Sequence, residues 1–181
     1  LRGETGGFQG EVFSIAEHVR APYPLPDREI PLMLGTWGPR LAELAGEIAD
    51  EVKIGGSSNP LVAQKIWEYI QRGVRKCGRT LREVGLAMGA VTVVDEDRLA
   101  ARELAKRRLS LYLPVVAGLD PSVHFEAEFI QRVQSAVEAR DYDVAGNLIS
   151  DDVLEKFAFA GNPSDIIRQS DAVYQSGATR I

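Results

Sequence analysis

A unit made of an apolar strand, a glycine-containing loop and a helix that begins with proline occurs twice in succession in this chain of 181 residues. In order, the two copies of strand, loop and proline are Ile30–Leu34, Gly35–Gly38 and Pro39, then Val52–Ile54, Gly55–Ser58 and Pro60. Proline suits the first helical position, where its missing N–H costs nothing. Alternation of strands and helices predicts a parallel sheet covered by helices.

The pattern continues along the chain. A third strand is predicted over Leu86–Val94, and Asp95 is the expected cap of a long helix after it. Further helices are predicted near residues 125–138, 142–148 and 151–157, and after Asn162–Pro163. The last of these ends at Gly177, and Ala178–Ile181 begins a fourth strand. The predicted buried faces are Leu41, Leu44, Ala45 and Ile48; then Val62, Ile66, Tyr69, Ile70 and Val74; then Leu99, Ala100, Leu104 and Leu111; and finally Ile166, Ile167 and Val173.

Residues 1–29 differ from the rest in composition, because glycine and proline recur there and break any helix. We predict an insertion or loop segment with a short strand pair around Val12–Ile15; a disordered leader is the alternative. The regular α/β part is predicted to span residues 30–181. Two architectures fit it, a doubly wound open sheet and a (β/α)8 barrel. A closed barrel takes about 250 residues, so a barrel requires sequence beyond these four strands.

Composition narrows the class of partner. Lys and Arg number 21 against 26 Asp and Glu, and the net charge of −5 disfavours nucleic acid, whose binding needs a concentrated basic face. The single cysteine, Cys77, excludes an internal disulfide framework and indicates a reducing cytoplasm. Membrane insertion is not expected, because no apolar run reaches the roughly 18 residues that a spanning helix needs.

Three sets of segments resemble luciferase-like barrel flavoproteins. The first set, Pro31–Pro39 with Leu44–Asp50, is similar to a family strand followed by "GP" and "AGEIADG". The second set, Ile149–Asp152 and Phe157–Asp165 with Gly177–Ile181, resembles the coenzyme F420-dependent branch of the family, notably methylenetetrahydromethanopterin reductases. The third set, Arg2–Glu4 with Gly10–Phe13, resembles the insertion before the family's fifth strand. Glu51 departs from the pattern, because the family has glycine after the aspartate.

The resemblance implies the C-terminal half of a (β/α)8 TIM barrel, from the insertion before strand five to the start of strand eight. It also implies an oxidoreductase that uses coenzyme F420 for hydride transfer to a pterin-linked or other small substrate, as a homodimer. An FMN-dependent monooxygenase is the alternative within the fold. A non-catalytic half-barrel with sheet edges that pair between copies is the alternative outside it. Such chemistry belongs mainly to the cofactor, so no catalytic residue is assigned.

Candidate cofactor-binding residues lie at the ends of the first two strands, since barrel active sites are built from the loops after the strands. They are Gly35, Thr36, Gly55, Gly56 and Ser57. Glycine lets a flat ring or an anion approach the backbone closely, whereas ordinary tight turns are the competing interpretation. We expect Trp37 to serve packing and Arg40 to be solvated. No metal site is expected, because His18 and His124 lack ligand spacing.

Overall fold

The computed structural model describes residues 6–20 and 28–181, and the chain divides into two compact units at the Leu32–Met33 bond. In the first unit, strands β1 (Phe8–Gln9) and β2 (Ser14–Ile15) form an antiparallel pair with Phe8 opposite Ile15. The expected strand pair is therefore present, with β2 inside the predicted range and β1 before it. The predicted boundary after residue 29 stays a prediction. Residues 1–5, with the Arg2–Glu4 motif, and residues 21–27 lie outside the described residues.

The second unit alternates strands and helices. Its strands are β3 (Met33–Gly35), β4 (Glu51–Gly55), β5 (Gly85–Gly89), β6 (Val91–Val94) and β7 (Ala158–Gly161). Its helices are α1 (Pro39–Ile48), α2 (Pro60–Cys77), α3 (Arg98–Ser110), α4 (Leu113–Val116), α5 (Ala127–Glu138), α6 (Tyr142–Asn147), α7 (Asp151–Phe157) and α8 (Pro163–Gln175), with a 3₁₀ turn at Leu81–Glu83. Within the described residues, no helix has both the length and the apolarity that crossing a membrane requires.

The strands pair in parallel. β4 lies between β3 and β5, and β6 pairs with β7. Arg180 forms a parallel bridge with Ala87 of β5, which confirms that the chain re-enters the sheet near its end. The predicted third strand is two strands, because the halves on either side of Ala90 have different partners. Strand β7 was not predicted.

All the helices that cover the three-stranded sheet lie on one of its faces. Val52 and Ile54 of β4, together with Leu86 and Met88 of β5, are fully buried in a core that also takes residues from α1, α2 and α8. The alternate residues of these strands lie on the opposite face. A doubly wound sheet carries helices on both faces, whereas a barrel carries them only outside. The arrangement is that of a partial barrel.

Helix α1 buries a face that shares only Ala45 with the predicted one. Leu41, Leu44 and Ile48 are about half exposed, and the buried residues are Ala42, Ala45 and Gly46. The reason is close packing against α2: a Cβ on Gly46 would lie 2.3 Å from the Ile70 carbonyl oxygen. Small residues allow this approach and large ones do not. The expectation that Gly46 packs closely on a neighbour is confirmed.

The first strand is shorter than predicted, beginning at Met33 instead of Ile30, and it is not buried on both faces. Ile30 and Leu32 are exposed, and Pro31 offers no N–H for a strand ladder. Helix α2 follows prediction better. Asn59 caps it by accepting the Leu61 N–H at 3.1 Å, and Gly78 ends it with φ of 73°.

Helix α3 contradicts two predictions. Its N-cap is Asp97, whose carboxylate accepts two backbone N–H groups, whereas Asp95 only accepts from the Asp97 N–H. Its buried face contains three small residues, one arginine and one leucine instead of the predicted Leu99, Ala100, Leu104 and Leu111, all of which are exposed. The buried residues are Ala101, Arg102, Ala105, Leu109 and Ser110. Arg102 is buried because Asp151 and Glu155 of α7 lie across from it. Ile167 of α8, also predicted as buried, is exposed.

Candidate functional site

The carboxyl ends of β3, β4 and β5 meet at one edge of the sheet, and each ends in glycine. Gly35 lies beside Lys53, and Gly55 lies opposite Gly89. We call Gly35, Gly55 and Gly89 the glycine rim. Among the described residues, an ideal Cβ on Gly55 has no neighbour within 4 Å, and one on Gly35 meets only the Lys53 carbonyl oxygen at 4.0 Å. The backbone at these two positions is therefore open to a ligand.

The loop after β3 is held to the end of β4. The Thr36 N–H donates to the Lys53 carbonyl at 3.0 Å, and the Thr36 hydroxyl accepts the Gly38 N–H at 3.0 Å. The Trp37 indole N–H donates to the Gly55 carbonyl at 3.1 Å. The ring also packs against the main core, as predicted. Arg40 is exposed, also as predicted. These bonds bring the predicted residues Thr36 and Gly55 together at the rim.

The loop after β4 is fixed by the third member of the rim. The carbonyl of Gly89 accepts the N–H of Gly56 at 2.6 Å and that of Ser57 at 3.1 Å. Gly56 has a φ of +84°, and a Cβ there would lie 2.7 Å from a Val116 methyl group. Glycine at position 56 is thus needed both for its backbone conformation and for the close approach of α4.

Ser57 is fully buried and is bonded within the protein. Its hydroxyl accepts the Asn59 N–H at 3.1 Å and donates to the Lys156 carbonyl at 3.4 Å. The next residue, Ser58, donates to the Glu155 and Ala158 carbonyls, both at 3.1 Å. Contact between Ser57 and a cofactor stays a prediction, and it would require the hydroxyl to give up its internal acceptor.

A buried carboxylate anchors the same loop from the other side. Asn59 donates to Asp120 at 2.9 Å and to the Ser122 hydroxyl at 2.8 Å, and Asp120 in turn accepts the Ser122 N–H and O–H. Asp120 is 3% exposed. Three donors therefore satisfy a charge that is expensive to bury alone. The segment between α4 and α5 is tied through Asp120 to the first turn of α2.

Charged side chains lie on the sheet face opposite the core. Glu51 of β4 forms an ion pair with Arg180. Lys53, two residues further along the strand, runs beside Gly89: a Cβ at that glycine would lie 2.8 Å from the Lys53 ammonium nitrogen. Sequence reasoning missed Lys53, although the burial expected for Val52 and Ile54 already places a residue between them on the other face.

A cluster of three charged side chains lies where β6 and β7 end. Asp165, in the first turn of α8, accepts a hydrogen bond from Arg98 at 2.8 Å and another from Arg168 at 3.3 Å. Partial burial works to raise the pKa of Asp165, but these two hydrogen bonds and that of the Asn162 N–H outweigh it and hold the pKa below its usual value. The start of α8 is thereby joined to the start of α3.

Among residues 6–20 and 28–181, no group of three His, Cys, Asp or Glu side chains is close enough to hold a metal ion. His124 lines an open cavity of about 670 Å³ between α4 and α5, and His18 belongs to the first unit. Of the five predicted cofactor residues, the structure brings Gly35, Thr36, Gly55 and Gly56 together around the rim, and it buries Ser57 with its N–H bonded to the Gly89 carbonyl.

The sequence of residues 1–180 matches the family described as luciferase-like monooxygenase. The chain belongs to that family. The resemblance noted in the sequence is thus confirmed, and the partial barrel is that of a luciferase-like protein. The departure at Glu51 is accommodated, since its carboxylate pairs with Arg180 on the open face of the sheet.

Individual relatives within the luciferase-like family carry related names. The chain is 28% identical over 158 residues to 5,10-methylenetetrahydromethanopterin reductase of Methanopyrus kandleri, and the aligned region covers 84% of this chain and 44% of that protein. The enzyme of the same name from Archaeoglobus fulgidus is 25% identical over 187 residues, and the aligned region covers 99% of this chain and 54% of that protein. The chain therefore spans about half the length of these curated relatives.

Solved structures agree on the fold. The coenzyme F420-dependent tetrahydromethanopterin reductase of Methanopyrus kandleri superposes with a TM-score of 0.73 at 26% identity, covering 83% of this chain and 44% of that one. An F420-dependent secondary alcohol dehydrogenase in complex with an F420-acetone adduct superposes with a TM-score of 0.71 at 21% identity, and the match covers 98% of this chain and 49% of that one. The second likeness, at this identity, concerns the fold alone.

Proposed function

We propose that this chain is part of a coenzyme F420-dependent oxidoreductase that transfers a hydride between the deazaflavin and a small, pterin-linked or similar substrate. The observation that carries the proposal is the open glycine rim. Gly35 and Gly55 present bare backbone at the carboxyl ends of adjacent parallel strands, where barrel enzymes bind their ligands. Relatives with F420 in their names support the choice of cofactor.

The residues present fit a flat, anionic cofactor. Gly35 and Gly55 leave room for a ring against the backbone, and Thr36 has a half-buried hydroxyl beside them. The Gly56 and Ser57 N–H groups are already bonded to Gly89, so we assign this loop the role of a fixed wall. When bound, the deazaflavin supplies the carbon that gives or accepts the hydride. The protein residues orient it and exclude water.

The test is a hydride-transfer assay with the complete chain that the gene encodes. Reduced F420 and a candidate acceptor, methylenetetrahydromethanopterin first, are mixed with the protein, and the absorbance of oxidised F420 is followed. Gly55→Val fills the open position of the rim. Gly118→Ala is the matched control, at a loop glycine whose added Cβ would meet no described residue within 4 Å. We expect the wild type and Gly118→Ala to oxidise F420 and Gly55→Val to be inactive but folded.

Turnover with reduced FMN and oxygen in place of F420 would favour the monooxygenase alternative. Failure of the wild type to bind either cofactor would favour a non-catalytic half-barrel. A homodimer and a cytoplasmic location remain predictions, to be tested by sedimentation and by cell fractionation.

A further inference from the structure

Lys53 lies on the open face of the sheet, next to the glycine rim. Its neighbours in β4, Val52 and Ile54, are fully buried in the core, so Lys53 and Gly55 lie on the opposite face. In register, Lys53 stands between Gly35 of β3 and Ala87 of β5. The two neighbouring strands therefore place no large side chain beside it.

The Lys53 side chain extends toward the carboxyl ends of the strands. Its ammonium nitrogen lies 2.8 Å from the position that a Cβ on Gly89 would take. The carbonyl of the same Gly89 accepts the N–H groups of Gly56 and Ser57. The ammonium group is thus adjacent to the loop that forms the wall of the proposed cofactor site.

The charge of Lys53 has no counterion in the part of the chain that the structure describes. Glu51, the carboxylate nearest along β4, is paired with Arg180. The Lys53 ammonium group makes neither an ion pair nor a hydrogen bond within residues 6–20 and 28–181. It is nevertheless half-buried. A partly desolvated ammonium group with three unused donors is strongly favoured by a negatively charged acceptor.

We propose that the Lys53 ammonium group binds an oxyanion, a phosphate or a carboxylate, of a small molecule held at the glycine rim. This inference rests on the proposed function for the location of that molecule. The inference goes beyond the proposed function because it assigns a ligand-recognition role to Lys53, a strand residue whose side chain does not pack in the hydrophobic core. Two sources of the oxyanion are distinguishable by experiment: the phosphodiester side chain of F420, and an acidic group of the substrate.

The test compares Lys53→Gln with Lys65→Gln in the complete chain. Lys65 is a partly exposed lysine of α2 that pairs with Glu68 and belongs to neither β4 nor the rim, so its replacement removes the same charge outside the proposed site. Lys53→Arg keeps the charge. Affinity is measured by fluorescence for F420 and for the same deazaflavin without its phosphodiester side chain. Inorganic phosphate, at constant ionic strength set with chloride, is titrated by following the ¹⁵N-labelled amide of Gly89.

We expect Lys53→Gln to weaken F420 binding about tenfold to a hundredfold, with Lys53→Arg largely restored and Lys65→Gln unchanged. If Lys53→Gln leaves the affinity for the deazaflavin without its side chain unchanged while weakening F420 binding, the oxyanion belongs to the cofactor. If Lys53→Gln leaves the affinities for both deazaflavins unchanged but abolishes the shift of the Gly89 amide signal with phosphate, the oxyanion belongs to the substrate. Equal weakening of both deazaflavins without a phosphate effect, or no effect anywhere, would overturn the proposal.

Failure of the proposed function gives a different result. If the wild type binds no F420, that function is wrong. The role of Lys53 is then decided by inorganic phosphate alone: a saturable Gly89 shift that Lys53→Gln abolishes supports it, and no shift overturns it.

Discussion

Close contact between α1 and α2 is expected to make Gly73 intolerant of even one methyl group. The contact holds the two helices that cover β4. A Cβ on Gly73 would lie 1.8 Å from the Glu43 carbonyl oxygen and 2.8 Å from its carbon. Both are backbone atoms, so no change of rotamer relieves the clash. The substitution to test is Gly73→Ala.

The expected loss of stability follows from this geometry. To reach the shortest ordinary contact of 3.4 Å, the helices must separate by about 1.6 Å, which loosens the packing of Ala42 and Ala45. Overpacking of this kind costs about 3 kcal/mol at the upper end of its usual range. Replacing glycine by alanine within a helix returns about 1 kcal/mol. The free energy of unfolding should therefore fall by about 2 kcal/mol, and Tm by about 4–8 °C.

Urea unfolding followed by circular dichroism measures this change. Gly118→Ala is the control, since a methyl group at position 118 meets none of residues 6–20 and 28–181 within 4 Å and should change the free energy of unfolding by less than about 0.5 kcal/mol. A Gly73→Ala protein as stable as the wild type would refute the account of the α1–α2 contact.

Three further substitutions test other contacts. Asn59→Ala removes the cap of α2 and one donor to the buried Asp120 carboxylate, so the free energy of unfolding in urea should fall by about 2–4 kcal/mol; a loss below about 0.5 kcal/mol would contradict the network. The Lys106 hydrogen bond is the main cause that lowers the pKa of Asp151 below 3.8. The ionised Asp151 carboxylate therefore stabilises the folded protein above about pH 4, and this contribution is lost as pH falls through the lowered pKa. Lys106→Met should weaken that pH dependence in acid unfolding, and an unchanged profile would argue against it. Trp37→Phe deletes the bond that joins the two rim loops and should weaken F420 affinity about fivefold; equal fluorescence titrations would show that the bond does not shape the site.

The sequence predicts most of the longer helices and the first two strands of the second unit, but it does not predict α4 or β7, and it predicts the buried faces less well. In α1, leucines at helical spacing indicated the wrong buried face, because alanine and Gly46 permit the helix to approach α2 more closely. In α3, the position of Arg102 depends on acidic residues of α7 that lie some fifty positions away. Local periodicity carries no information about either partner.

The sheet showed a similar limit. Ala90 divides one apolar run into β5 and β6 because the two halves pair with different strands, which is a property of the tertiary fold. Strand β7 has only four residues, all buried, and it follows α7 without a loop. At the candidate site, Gly35, Gly55 and Gly56 were predictable from turn chemistry, whereas Gly89 was not predicted. The internal bonds of Ser57 and the position of Lys53 beside Gly89 required coordinates.

The central claim, that coenzyme F420 lies on the glycine rim, is tested most directly by nuclear magnetic resonance of protein labelled with ¹⁵N-glycine. We predict that adding F420 shifts the amide signals of Gly35, Gly55 and Gly56, assigned by substitution. The signals of Gly78 and Gly118, at the end of α2 and in the loop after α4, should not move. Binding of F420 that shifts Gly78 or Gly118 while leaving the rim and Gly56 unchanged would contradict the account.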